Sequence, residues 1–213
     1  PFELTIAHIN DHHSHLAPSE LTFDWAGQAW QVETGGFPRM TAMIDQIRQN
    51  NQNVLTLHAG DAITGSVFFK RLGSAADARF MNDTCFDAFT IGNHEFDYGE
   101  AILSWQKNRV PFPVLGANLD YKGTNHPFAQ RHAIIERSGI RIGVIGILGQ
   151  DAASSAVAPM HIDELDVADP KERVQRSVDE LRENVDLIVL LTHQGHTAPM
   201  QTVAWLIEYK NTD

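Results

Sequence analysis

Residues Gly92-Asn93-His94-Glu95-Phe96-Asp97 put an amide, an imidazole and two carboxylates on a tight turn directly after the apolar run 86–91. The end of a strand is where open α/β sheets place their chemistry. Three more clusters of the same kind follow apolar runs: Asp11-His12-His13 after residues 4–9, Gly60-Asp61 after 54–57, and His193-Gln194-Gly195-His196 after 187–191. Carboxylate, amide and imidazole at four strand ends describe one divided metal site.

Each cluster also has a plainer reading. In an extended segment, positions i and i+2 point to the same side, so Asp11 and His13 could offer one ion a hard oxygen and a borderline nitrogen. A histidine-rich polar loop would look the same, and with His12 and His15 crowding the stretch not every imidazole can be a ligand. His8, inside the first strand, reads as a packed or hydrogen-bonded core histidine, and so does His58. Asp61 beside Gly60 fits a helix N-cap; read with its neighbours it becomes a bridge, holding one ion on each carboxylate oxygen. Asn93 offers a neutral carbonyl oxygen. His94 points elsewhere, and Asp97 either fixes its tautomer or caps a helix starting near Gly99. In the last cluster His193 is the candidate ligand and His196 reads as a loop histidine.

The elements that position these residues follow an α/β pattern. Strands are expected at 4–9, 54–57, 88–91, 114–115, 132–136, 140–148 and 187–191, and helices at 39–49, 75–82, 100–108 and 170–183. Met40, Met43, Ile44 and Ile47 line one face of the first helix, with Pro38 near its first turn. Asp169 is a plausible N-cap for the last helix, which carries Val174, Val178 and Leu181 on one face. Ser138-Gly139 marks a β-hairpin turn, and residues 23–30 suggest a smaller hairpin before Gly35-Gly36. Gly143, Gly146 and Gly149 lack the G-x-G-x-x-G spacing of a dinucleotide loop, so close sheet packing is the better reading.

Bulk properties exclude several function classes. With 213 residues, 43% hydrophobic and 20% charged, the chain suits one globular domain. A net charge of −11 argues against a nucleic-acid partner, but not against a small phosphorylated substrate, since bound cations invert the local field. The single cysteine, Cys85, rules out an intrachain disulfide framework and a thiolate-rich zinc site. No run of about 18 apolar residues is present to form a transmembrane helix. No N-terminal signal peptide precedes Pro1-Phe2-Glu3, so the chain reads as a mature or trimmed product.

Five blocks, in this order, resemble the calcineurin-like metallophosphoesterase superfamily, and within it the 5′-nucleotidase family of UDP-sugar hydrolases and NAD nucleotidases. They are residues 8–15, Gly35-Gly36-Phe37-Pro38-Arg39, Ala59-Gly60-Asp61, residues 92–99 and residues 192–196. The resemblance implies an α/β two-sheet sandwich flanked by helices. It implies that Asp11 and His13 bind a first divalent metal, Asp61 bridges, and Asn93 and His193 bind a second. The metals would be Zn, Mn, Mg, Co or Fe. His94 would act on the substrate phosphate beside Asn93, with Asp97 as its partner. Related 2′,3′-cyclic phosphodiesterases tend to carry Asn in place of Asp97, which tilts the reading towards the 5′-nucleotidase branch. Members also carry a further Gly-His-X-His or Gly-His-X-Gln block and a separate nucleobase-stacking domain, and neither is found after His196. The chain is therefore expected to be a C-terminally incomplete catalytic domain. Its address would be periplasmic or extracellular by resemblance alone.

The expected chemistry is hydrolysis of a nucleotide phosphoester by two ions about 3.5–4 Å apart, which activate a water and clamp the phosphoryl oxygens. The competing expectations are a metal-poor fragment that only binds phosphate or a partner, and a 2′,3′-cyclic phosphodiesterase. The Asp-His-His phosphoesterases are set aside, because in that family the block comes later, after an earlier pair of aspartates not found here. Leaving group and oligomeric state are not written in the sequence.

Overall fold

The computed structural model describes residues 2–99, 108–156 and 162–194. In chain order the elements are β1 (Thr5–Ile9), β2 (Ser19–Trp25), β3 (Gln28–Thr34), α1 (Phe37–Asn50), β4 (Val54–His58), α2 (Val67–Leu72), α3 (Ala75–Thr84), β5 (Ala88–Thr90), a 3₁₀ turn (His94–Phe96), β6 (Val114–Leu115), β7 (Leu119–Tyr121), β8 (His132–Arg137), β9 (Ile140–Leu148), α4 (Gln150–Ala156), β10 (Leu165–Val167), α5 (Pro170–Leu181) and β11 (Leu187–His193).

β4 is apolar or neutral at nearly every position and is buried along its whole length, as a strand covered on both faces must be. It lies inside a parallel sheet of order β1-β4-β5-β6. A second sheet has the order β11-β9-β8, with β11 parallel and β8 antiparallel to β9. Leu55, Leu57, Ala88 and Leu115 of the first sheet meet Ile142, Val144 and Leu191 of the second in one apolar layer. Helices close the outer faces. Phe37 and Ile44 of α1 and Met81 of α3 share a cluster with Phe89 of β5, and Val174 and Leu181 of α5 pack on Ile145 and Ile147 of β9. The result is the expected two-sheet sandwich flanked by helices.

The local signals read from the sequence act as physical chemistry requires. Asp169 caps α5 by accepting from the Lys171 and Glu172 amides at 2.8 and 3.1 Å, and Pro38 sits in the first turn of α1. Ser138 and Gly139 take φ of 48° and 81°, as a two-residue type I′ turn between twisted strands demands. Glycine packing is equally direct: a Cβ on Gly146 would overlap Leu115 Cβ and Thr90 Oγ1, and one on Gly143 would meet Leu181 Cδ1 at 2.9 Å. These glycines let the layers approach, as close sheet packing requires.

Several bounds move. The small hairpin spans Ser19–Thr34 in full, its antiparallel pairing running from Ser19↔Thr34 to Trp25↔Gln28. The run 187–191 continues as strand to His193, which carries that imidazole on a rigid element. The sequence reading missed α2, α4 and the antiparallel pair β7 and β10, which at three to seven residues are too short to show a period. The helix expected at 100–108 falls, but for its last residue, outside the described residues, as does His196. Among the described residues, no helix is long and apolar enough to cross a membrane.

Candidate metal centre

Three parallel strands, β1, β4 and β5, end on one side of the first sheet, and β11 ends beside them. The loops that follow are joined by backbone hydrogen bonds running on past the strand ends. The Asp11 amide donates to Gly60 O at 3.0 Å, His13 to Asp61 O at 3.2 Å and Ser14 to Ala62 O at 2.9 Å. Asp11, His13, Ser14, Asp61 and Thr64 take φ of 51°, 44°, 52°, 55° and 73°. Left-handed backbone at non-glycine residues costs energy and concentrates at functional sites. Five such residues lie in these two loops, out of eight among the described residues.

The loops must also nearly touch. A Cβ on Gly60 would stand 2.8 Å from both Gly92 N and His193 Nδ1, and one on Gly92 would collide with the Asp61 backbone and carboxylate. Only hydrogen fits at either position.

Asp61 is the centre of the arrangement. It is 3% exposed. Its Oδ2 lies 3.7 Å from His13 Nε2 and 3.3 Å from His193 Nε2. His193 Nε2 is also 3.0 Å from Asn93 Oδ1, and His13 Nε2 is 3.8 Å from Asp11 Oδ1. The potential ligand atoms of Asp11, Asp61 and His193 all lie within 4.8 Å of one another, and so do those of His13, Asp61 and His94. Asp61 alone belongs to both groups. Atoms about 2.1 Å from a shared ion sit roughly 3.0–3.4 Å apart in octahedral or tetrahedral order, so these donors fit divalent cations with little movement. One detail departs from expectation. Both imidazoles face the same oxygen, Oδ2, because Oδ1 accepts the His94 amide at 2.9 Å.

The electrostatics are those of a site built around positive charge. Burial alone would lower the His193 pKa, but the hydrogen bond and charge of Asp61 and the Ala59 carbonyl outweigh it and raise it to about 9. Burial works against ionisation of Asp61 too, yet the His193 contact and the His94 amide hold its carboxyl below the usual value. His193 Nδ1 is 2.7 Å from Ala59 O. A carbonyl can only accept, so Nδ1 carries hydrogen and Nε2 is the atom a cation would take over from a proton. At His94, burial is outweighed by Asp97, whose Oδ2 lies 2.7 Å from Nδ1, and the pKa is raised. Asp97 thus fixes the His94 tautomer; a helix from Gly99 would lie outside the described residues.

The structure brings all seven candidates, Asp11, His13, Asp61, Asn93, His94, Asp97 and His193, to one cluster around a cavity of about 770 Å³. It corrects His8, expected in the core: this residue is exposed and lines the cavity, because β1 is an edge strand whose alternate side chains face the cleft. His58 is buried as expected.

Sequence reasoning missed Glu95. Completely buried, it accepts from the Asp61, Ala62 and Gly92 amides at 2.9, 2.7 and 2.7 Å, clamping the Asp61 loop to the Asn93 turn. Burial and the charge of Asp61 push its pKa up to about 7 against the pull of those three donors. Glu95→Gln turns one acceptor into a donor facing N–H groups. We expect a loss of about 1–3 kcal/mol in urea denaturation, together with weaker metal binding; unchanged values in both would remove the clamp.

The calcineurin-like phosphoesterase family model matches residues 4–213. A probable 5′-nucleotidase of Treponema pallidum is 40% identical over 197 residues, covering 91% of this chain and 33% of that protein. An NAD 5′-nucleotidase of Haemophilus influenzae is 36% identical over 199 residues, with 91% and 32% covered. Among solved structures, Haemophilus influenzae NAD nucleotidase superposes with a TM-score of 0.80 at 33% identity over 94% of this chain and 35% of that one. The chain spans about a third of the length of the relatives it matches. With the family's fold and this match along nearly all its length, the chain belongs to the calcineurin-like phosphoesterases.

Proposed function

We propose that this domain hydrolyses nucleotide phosphoesters, with two divalent cations held around Asp61. The observation that carries the reading is the single buried oxygen Asp61 Oδ2 facing both His13 and His193. The names of the relatives, 5′-nucleotidase and NAD 5′-nucleotidase, support the substrate class. Asp11 and His13 would hold one ion, Asn93 and His193 the other, and Asp61 both.

When bound, such ions stabilise developing phosphoryl charge and make water a nucleophile near neutral pH. The protein's own part is positioning and proton supply. Asp97 takes His94 Nδ1 and leaves Nε2 towards the cavity that also reaches Asn93. The raised pKa keeps His94 protonated further into the neutral range, so its imidazolium steadies phosphoryl oxygens and donates to the leaving oxygen. Asp97 rather than Asn at its side favours monoester over 2′,3′-cyclic substrates. A periplasmic or extracellular address belongs to the same reading, and one structural relative is described as a precursor.

The test is dialysis, metal analysis and turnover of AMP and 2′,3′-cyclic AMP with added Mn or Zn. Retained metal and faster AMP hydrolysis are expected. Preference for the cyclic ester moves the chain to the diesterase branch; neither metal nor turnover means that the domain by itself only binds phosphate or a partner.

A further inference from the structure

His12 stands between two proposed ligands, Asp11 and His13, yet turns away from them into the protein. Its side chain is 10% exposed and packs edge-on against Phe37 and His58, ring centroids 5.0 Å away in each case. His12 Nδ1 is 2.8 Å from His58 Nε2, and His12 Nε2 is 3.2 Å from Oδ1 of the wholly buried Asp77, in the first turn of α3. Ser14 donates to the other Asp77 oxygen at 2.9 Å. At the opposite end of the chain the Gly60 amide donates to His58 Nδ1 at 3.2 Å.

The two ends fix every proton between them. A backbone N–H can only donate, so His58 Nδ1 is an acceptor and the ring carries its hydrogen on Nε2. His58 Nε2–H then donates to His12 Nδ1, which places the His12 hydrogen on Nε2, facing a carboxylate that can only accept. The direction set at Gly60 agrees with the direction required at Asp77. Such a relay ties the residue preceding Asp61 to the residue between Asp11 and His13.

We propose that His12 is a positioning residue for the metal centre: the one-way chain Gly60–His58–His12–Asp77 locks the Asp11–His13 loop against the Asp61 loop and sets the ligand spacing. The inference rests on the two-cation reading of the site. Asp11, His13 and Ser14 hold left-handed backbone with φ of 51°, 44° and 52°, a conformation that persists only where surrounding contacts impose it. Anchoring both His12 and Ser14 on one buried carboxylate supplies that constraint. Outer contacts of this kind typically change metal affinity about 10–100-fold when removed.

Two measurements test it on the intact protein. Long-range ¹⁵N–¹H correlation spectra of histidine-labelled protein should show His12 and His58 both as the neutral Nε2–H tautomer. A His12 ring carrying hydrogen on Nδ1 overturns the chain. Mn²⁺ titration should show about 10–100-fold weaker binding in His12→Ala and in Asp77→Asn. Val174→Ala, a core truncation in α5, serves as the control for lost stability and should lower Tm with Mn²⁺ affinity unchanged. Wild-type affinity in both His12→Ala and Asp77→Asn, or equal weakening in Val174→Ala, removes the positioning role alone. A wild-type protein that takes up no Mn²⁺ instead removes the two-cation reading on which it rests.

Discussion

Asp61→Ala is expected to empty both cation positions at once, taking bound metal from about two per chain to near none and hydrolysis below detection. A terminal ligand serves one ion, so its loss weakens one position more than the other. Asp61 is different because Oδ2 faces the imidazoles of His13 and His193 together, while Oδ1 anchors the His94 amide. The substitution also removes the partner that raises the His193 pKa to about 9. In the metal-free protein the imidazole should then titrate below its wild-type position by NMR, with only the Ala59 carbonyl and Glu95 left to oppose burial. Asp61→Asn separates charge from shape: it can still accept the His94 amide, but it cannot neutralise two cations. Metal analysis by atomic emission, with circular dichroism confirming the fold, reads the result. Full occupancy of one position in Asp61→Ala would end the bridging role.

The second large effect is of the opposite kind. His94→Asn should keep its metal and lose turnover by roughly 10²–10⁴-fold, the usual worth of a positioned acid or base. His94 sits at the cavity with Nδ1 tied to Asp97, and the part proposed for it is proton supply and charge stabilisation. Asp97→Asn should cost less, since an amide oxygen still accepts from Nδ1, but it removes the charge that holds the imidazole protonated. The alkaline limb of the variant's pH–rate profile identifies the change: the raised His94 value falls back, so activity declines at a lower pH than in the wild type. Loss of metal in His94→Asn would make His94 a ligand, as its closeness to His13 and Asp61 allows.

The parts of this site legible in the sequence share one property: they sit at the end of an apolar run. Asp11, Asp61 and Asn93 follow such a run and His193 ends one, and parallel strands of the two sheets deliver all four to the same cavity. The hairpin turn at Ser138-Gly139 and the cap at Asp169 were legible because their chemistry is local. What stayed hidden depends on distance along the chain. Asp77 meets His12 across 65 residues, and Glu95 reaches back 34 residues to the Asp61 amide. A buried carboxylate inside a recognised motif carries no sign of which amides it will accept. His8 was misplaced for a related reason. Its alternation belongs to a strand, but only the sheet order tells that β1 lies at the edge. The β7 and β10 strands, three residues each, take their structure from each other and not from any pattern of their own.

The most direct test of the account is anomalous diffraction from crystals grown with Mn²⁺. Two peaks, one between Asp61 and the Asp11–His13 pair and one between Asp61 and the Asn93–His193 pair, are the predicted result. A single peak away from Asp61, or manganese density that leaves the Asp61 carboxylate untouched, would contradict it.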